Sequence, residues 1–318
     1  MRRLIECIPN FSEGRDPARI DALEQAMSGI PGACVLDRQS DFDHHRCVFT
    51  LAGEPLAVQA AALRGVAKAA ELIDLTRHSG AHPRIGAVDV LPFVPVSGVS
   101  MEECVELAHD TGRAIWQRYK IPVYFYGAAA TTPERANLEN IRRGQFEGLR
   151  EHADVDPLRA PDVGGPHLHP TAGAVAVGAR KALIACNINL STPDAAVAKE
   201  IARAIRYSSG GLRNVKAIGL ELKTRGQAQV SINLTDYEQT PLHRVFEMVR
   251  SEAQRRGCAI VDTEIVGLAP RKALEMAAAY FLQLTAPGGL PVLEDRLEMA
   301  MDAQAQEGIS VSVSNPSS

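Results

Sequence analysis

The feature that most constrains this chain is an internal repeat. Near the start stands Cys7-Ile8-Pro9-Asn10-Phe11-Ser12, with Asp16-Pro17 a short loop later. Far downstream stands Cys186-Asn187-Ile188-Asn189-Leu190-Ser191, followed at once by Thr192-Pro193. Each copy closes an apolar run with Asn, an apolar residue and Ser. Each then offers a capping side chain and a proline suited to the first helical position. Helical spacing follows both times, through Ile20, Leu23 and Met27 in the first copy and Val197, Ile201 and Ile205 in the second. A unit that recurs in this way is one supersecondary block used twice.

The order after each copy also matches. In the first half come two extended runs, Cys34-Val35-Leu36 and Cys47-Val48-Phe49-Thr50-Leu51. A helix with Leu56, Leu63, Ala67 and Ala70 on one face follows, then a strand from Val88 to Val94. In the second half come strands over 215–222 and 228–234, the latter alternating through Val230, Ile232 and Leu234. A helix with Leu242, Val245, Phe246, Val249 and Ala253 precedes a last strand over 259–266. Both halves therefore read β-α-β-β-α-β, the ferredoxin-like order of an α+β fold. The first half carries an extension: Ser100 and Glu103 stand at capping-box spacing ahead of a helix, and Val123-Tyr124-Phe125-Tyr126 reads as a strand. The lobes are expected to divide near Arg180, giving 1–180 and 181–306, with 307–318 as a flexible tail.

A chain of 318 residues accommodates two lobes of about 150 each. Its 46% apolar and 23% charged residues suffice for globular cores. A net charge of -4 offers no basic footprint for nucleic acid. The pairs Arg142-Arg143 and Arg255-Arg256 read as charges at helix C-termini. The six cysteines are too far apart for a Cys-x-x-Cys site. No apolar stretch suits a signal peptide or a membrane span, so a cytoplasmic protein is expected.

Three stretches carry groups with chemistry. In Arg77-His78-Ser79-Gly80-Ala81-His82-Pro83-Arg84-Ile85-Gly86, the two histidines have the spacing of a helical metal pair. Pro83 pushes residue 82 out of helical geometry, however, and no third ligand is near in sequence, so no metal is expected. An imidazole held in an extended turn between arginines suits general acid–base work, the alternative being a turn histidine with a structural hydrogen bond. The loop Gly164-Gly165-Pro166-His167-Leu168-His169-Pro170-Thr171-Ala172-Gly173 lets backbone approach a ligand closely but lacks a phosphate-loop ending. The third stretch, Asp41-Phe42-Asp43-His44-His45-Arg46, sets acid, imidazole and guanidinium side by side, as a polar-substrate site or a solvated hairpin loop would.

At these residues the sequence resembles the formiminotransferases, the folate-dependent domain of formiminotransferase-cyclodeaminase and its single-function bacterial relatives. The matching stretches are Glu6-Cys7-Ile8-Pro9-Asn10-Phe11-Ser12-Glu13-Gly14, His82-Pro83-Arg84-Ile85-Gly86-Ala87-Val88-Asp89-Val90 and Pro122-Val123-Tyr124-Phe125-Tyr126-Gly127. Gly178-Ala179-Arg180-Lys181, Ile184-Ala185-Cys186-Asn187-Ile188-Asn189-Leu190 and Val266-Gly267-Leu268-Ala269-Pro270 complete the set. They run in order over nearly the whole chain.

The resemblance implies two ferredoxin-like subdomains whose sheets face each other across a folate tunnel. It also implies transfer of the formimino group from formiminoglutamate to tetrahydrofolate as co-substrate, and a homodimer. By resemblance His82 takes the place of the catalytic histidine, and the loop 164–173 that of the folate-binding segment. Pro166-His167-Leu168-His169 departs from the more apolar and aromatic version expected there. Arg46, Arg84, Arg180 and Lys181 are candidates for the carboxylates of both substrates. Asp37 or Asp41 is a candidate to orient His82. Competing readings on the same scaffold are formyl transfer from formylglutamate, ATP-dependent cyclisation of 5-formyltetrahydrofolate, and a non-catalytic folate binder or scaffolding paralogue.

Overall fold

The computed structural model describes residues 2–285, 290, 292–298 and 300–301; the expected tail at 307–318 lies outside them. The first copy of the repeat forms β1 (Leu4–Cys7) and β2 (Asn10–Phe11), one strand interrupted around Pro9. Helix α1 (Pro17–Met27) starts as expected, with Asp16 accepting from the amides of Ala18 and Arg19 and Pro17 at the first helical position. Strands β3 (Ala33–Asp41) and β4 (Arg46–Gly53) form a hairpin, and α2 (Pro55–Leu72) crosses back to β5 (Val88–Ser97). The sheet order is β3, β4, β1 with β2, then β5, all antiparallel, which is the ferredoxin-like arrangement.

The expected face of α2 is corrected by the structure. Leu56 is exposed, whereas Val58, Ala61, Ala62, Leu63, Val66 and Ala69 are buried. Small residues line this stripe, so the helix lies close to the sheet, and Met27 and Phe11 fill the space over Gly65.

The extension begins with α3 (Met101–Tyr119). The expected capping box is present: Ser100 Oγ accepts the Glu103 amide and Glu103 accepts the Ser100 amide at 2.8 Å. Next come β6 (Val123–Gly127), two short helices, α4 (Leu138–Ile141) and α5 (Gln145–His152), and a strand that sequence reasoning missed, β7 (Val175–Ala179). Strand β7 pairs in parallel with both β5 and β6, so the sheet grows to β3-β4-β1/β2-β5-β7-β6. Every residue of β7 is buried. A strand covered on both faces reads as a continuous apolar run without alternation.

The second copy builds β8 (Ile184–Leu190), α6 (Ala195–Ile205), β9 (Val215–Leu222), β10 (Gln227–Leu234), α7 (Leu242–Arg255) and β11 (Ile260–Val266). Its sheet order, β11-β8-β10-β9, is the same ferredoxin-like order as in the first lobe. One detail differs from the expectation: α6 is capped by Asp194, whose carboxylate accepts the Ala196 amide, so Pro193 precedes the cap. Helix α8 (Arg271–Phe281) follows.

Each lobe has its own apolar core between sheet and helices. On β10, Val230 and Ile232 belong to that core. Strand alternation turns Gln229, Ser231 and Asn233 the other way, and Gln229 meets His44 of the first lobe. The polar faces of the sheets thus turn toward each other. Among the described residues no helix is long and apolar enough to cross a membrane.

Candidate active site

The three chemistry-bearing stretches converge beside the interlobe face. Ser12 Oγ donates to the Gly86 carbonyl at 2.7 Å, and the Ala81 amide donates to the Asp43 carbonyl at 3.0 Å. Asp89, buried on β5, accepts the Ile85 amide at 2.9 Å. These bonds fix the turn that carries His82 to both the first repeat copy and the β3–β4 hairpin loop.

His82 is half-buried. Its Nδ1 donates to the carbonyl of Pro83 at 2.8 Å, which fixes the tautomer and leaves Nε2 as the basic nitrogen. Arg46 Nη1 lies 2.5 Å from that Nε2. Burial, followed by the guanidinium groups of Arg46 and Arg142 and the His44 ring, holds this imidazole well below its ordinary value of 6.5. It is therefore neutral near pH 7. Among the described residues the orienting partner of the ring is thus a backbone carbonyl. Asp41 instead accepts the His44 amide at 2.7 Å, and one buried oxygen of Asp37 has no hydrogen-bond partner.

His78 has both ring nitrogens engaged, with the His45 carbonyl at 2.9 Å and with Arg84 Nε at 3.2 Å. It stacks on His45 at 4.2 Å between ring centroids. Burial brings it down to about 4. Among the described residues no group of three or more His, Cys, Asp or Glu is arranged to hold a metal ion. His45 also faces Glu13 at 3.2 Å. Although burial opposes it, hydrogen bonds from His45 and from the Arg15 and Asp16 amides hold the Glu13 carboxyl down to about 2.

The candidate cations are placed in very different settings. Arg46 is in the site. Arg84 is buried and pairs bidentately with Glu147 at 2.6 and 2.7 Å, so it braces the His78 turn. Arg180, at the end of β7, lies against Glu6 and Tyr126 and donates to the Lys181 carbonyl at 3.0 Å. Lys181 is 74% exposed and stands 3.6 Å from Asp236 of the second lobe. Along β4, register separates the Arg46 end from the Ala52 end beside Glu6 by six residues, about 20 Å of strand.

The loop 164–173 is anchored at both ends. Before it, the Val163 carbonyl accepts the Val123 amide at 2.9 Å. At its far end His169 and Gly173 exchange backbone bonds at 3.0 Å, the Ala174 amide bonds the Ile85 carbonyl at 3.0 Å, and His169 Nδ1 accepts the Ala172 amide at 3.0 Å. Leu168 is buried, while His167 is exposed and stands 3.5 Å from Asp154. Gly164 has a φ of +80°, and a Cβ there would lie 2.4 Å from the Trp116 ring. The loop's end is thus bound to the turn that presents His82.

Sequence reasoning missed three site residues, Arg142, Asp89 and Gln229. Arg142, read as a helix-terminal charge, does stand at the C-terminus of α4, but its guanidinium also pairs with buried Asp89 beside Arg46 and His82. Asp89 carried a signal, since a carboxylate within Ala87-Val88-Asp89-Val90-Leu91 must have a partner once buried. His44 and Gln229 bond across the lobes at 3.1 Å; Gln229 donates to Asn189 at 2.9 Å, and Asn189 in turn donates to Asp262 at 2.6 Å.

A neutral, oriented imidazole beside guanidinium groups, where two ferredoxin-like lobes meet, is a setting suited to proton transfer on an anionic ligand. Residues 4–180 match the family described as the formiminotransferase domain, N-terminal subdomain, and residues 185–301 match the formiminotransferase domain. The chain belongs to the formiminotransferase family. It is 46% identical to a glutamate formimidoyltransferase of Streptococcus pyogenes serotype M1, over 89% of this chain and 95% of that one. It is 43% identical to a glutamate formimidoyltransferase of Thermoplasma acidophilum, over 95% of this chain and 99% of that one. A formimidoyltransferase-cyclodeaminase of Mus musculus is 45% identical over 88% of this chain, which spans 53% of that protein.

Proposed function

We propose that this enzyme moves the formimino group of N-formimino-L-glutamate to N-5 of tetrahydrofolate, releasing glutamate, with His82 carrying the proton between them. N-5 attacks the formimino carbon, and the resulting tetrahedral adduct bears a proton on the former folate amine. Nε2 of His82 accepts that proton and returns it to the glutamate nitrogen, whose bond to carbon then breaks. One imidazole serves both steps because its uncharged form is the resting state. The observation that carries this reading is the fixed tautomer of His82, with Nδ1 on the Pro83 carbonyl and Nε2 left as the basic nitrogen, against which Arg46 Nη1 stands at 2.5 Å.

The interlobe face also suits a polar aromatic ligand. Asn10 Oδ1, Asp37 Oδ2 and Thr50 Oγ1 are buried and have no hydrogen-bond partner. Register places Asp37 opposite Thr50, and Asn10 opposite Val48 two residues along β4. Groups left in this condition cost about 1–3 kcal/mol each. The donor and acceptor edge of a pterin matches such a set, and the loop 164–173 lies beside the same turn. The test is an assay of purified protein with tetrahydrofolate and either formiminoglutamate or formylglutamate, together with folinic acid titration. Product from formiminoglutamate alone supports the reading, and absence of folate binding at millimolar ligand ends it. We further place the enzyme in the cytoplasm as a homodimer. Its six unpaired cysteines and the exposed Leu274, Tyr280 and Phe281 of α8 favour this, and light scattering reads the dimer directly.

A further inference from the structure

Two guanidinium groups stand beside His82 with less anion around them than their charge calls for. Arg142, 13% exposed, pairs with Asp89, whose other oxygen holds the Ile85 amide. Arg46 has Asp41 opposite it in the β3–β4 ladder, but Asp41 also holds the His44 amide. Of the neighbouring charges, Arg84 is paired with Glu147. The Nε atoms of Arg46 and Arg142 are both buried and both lack a hydrogen-bond partner. Meanwhile Arg46 Nη1 covers Nε2 of His82, the lone pair that a base must expose.

We propose that Arg46 and Arg142 together clamp one carboxylate of the donor substrate, and that this carboxylate draws Arg46 off His82 and so uncovers the base. The proposal rests on the formimino-transfer reading and adds to it a donor subsite and an order of events. A carboxylate is the ligand chemistry that the site calls for. It accepts from guanidinium N–H groups in pairs, satisfies both buried Nε donors, and supplies the missing charge. Burial, with the charge of Arg142 beside it, already pulls the Arg46 guanidinium down to about 10, the direction expected where a compensating anion is lacking. Asp89 is then a positioning residue that aims Arg142. An empty site keeps His82 covered, so the base is freed when the donor arrives.

Arg142→Gln and, as a second variant that keeps the charge, Arg142→Lys are the tests. Loss of a charge-assisted hydrogen bond to a carboxylate corresponds to about a 10- to 100-fold rise in KM for formiminoglutamate, with KM for tetrahydrofolate changed less than about twofold. Arg142→Lys falls between Arg142→Gln and the parent enzyme. Independently of turnover, glutarate, a dicarboxylate without a formimino carbon, is titrated while the His82 ring nitrogens are followed by NMR. A glutarate-dependent shift of Nε2 in the parent enzyme and its loss in Arg142→Gln support the clamp. Unchanged KM for formiminoglutamate in both variants, or a fall confined to kcat, overturns it, as does a parent enzyme whose His82 ignores glutarate. If the parent enzyme transfers nothing from formiminoglutamate, the transfer reading fails while the glutarate titration still judges the clamp.

Discussion

What His82 can do follows from its two nitrogens. One is held by a carbonyl that cannot exchange roles, and the other faces cations that disfavour protonation. The ring is thus an uncharged proton acceptor at rest, and in the proposed transfer it becomes an acid only after taking the substrate's proton. His82→Ala is expected to lower kcat by about 10²–10⁴ with little change in folate affinity, read by single-turnover assay and folinic acid titration. Full turnover in a folded variant would remove His82 from the mechanism. The same burial makes stability depend on pH. In the unfolded chain His78 and His82 protonate near 6.5, whereas in the folded enzyme they resist protonation until lower pH, about 4 for His78. The unfolded state binds more protons in that window, so stability falls as pH drops from about 6.5 toward 4. Urea midpoints measured at intervals across that range check the sign, and a midpoint that rises on acidification contradicts it.

At the scale of elements, the turn that carries His82 and the end of the loop 164–173 are bonded into one piece. Gly86 and Gly173 form an isolated bridge, and Gly173 has a φ of +69° with the Ile85 carbonyl 2.3 Å from where a Cβ would sit. Gly173→Ala is expected to cost about 1–2 kcal/mol for left-handed backbone and about 1–3 kcal/mol for the clash. It should also weaken folate binding, because the strain falls where the loop joins the His82 turn. Denaturant midpoint and folinic acid affinity measure the two parts. A variant as stable as the parent would show that the loop can part from the turn. The sequence carried the βαββαβ order in both halves because strand alternation, helical spacing and the Asp16-Pro17 cap are local signals. It did not carry β7, whose uniformly apolar residues have no period to read, nor the cap at Asp194 beyond Pro193. Arg142 was illegible for another reason: although Asp89 signalled that it needs a partner, that partner lies 53 positions away. Gln229 was likewise illegible, 185 positions from His44.

Across the whole molecule, two separate apolar cores lie on the outer sides of two sheets, and polar side chains meet between them. Among the described residues few side-chain bonds tie the lobes: His44 to Gln229 at 3.1 Å, Lys216 to Glu139 at 2.9 Å and to Asn137 at 3.1 Å, and the Thr224 hydroxyl and amide to Asp43. Each contributes about 0.5–1.5 kcal/mol, and those on the surface contribute toward the low end. The two apolar cores are therefore joined by few polar bonds. Without ligand, calorimetry should resolve two transitions, one per lobe, because neither core depends on the other for burial. In the proposed reading, folate seats between the sheets and so binds only the joined lobes. At about a hundred times its Kd it adds about 2.7 kcal/mol, which raises Tm by about 5–10 °C and draws the two transitions together. Gln229→Leu removes the bond to His44 while keeping side-chain volume, so it should separate the ligand-free transitions further and reduce the upshift that folinic acid produces. A single transition, unmoved by folinic acid in both proteins, would mean that the lobes are locked by contacts other than the site and that no folate bridges them.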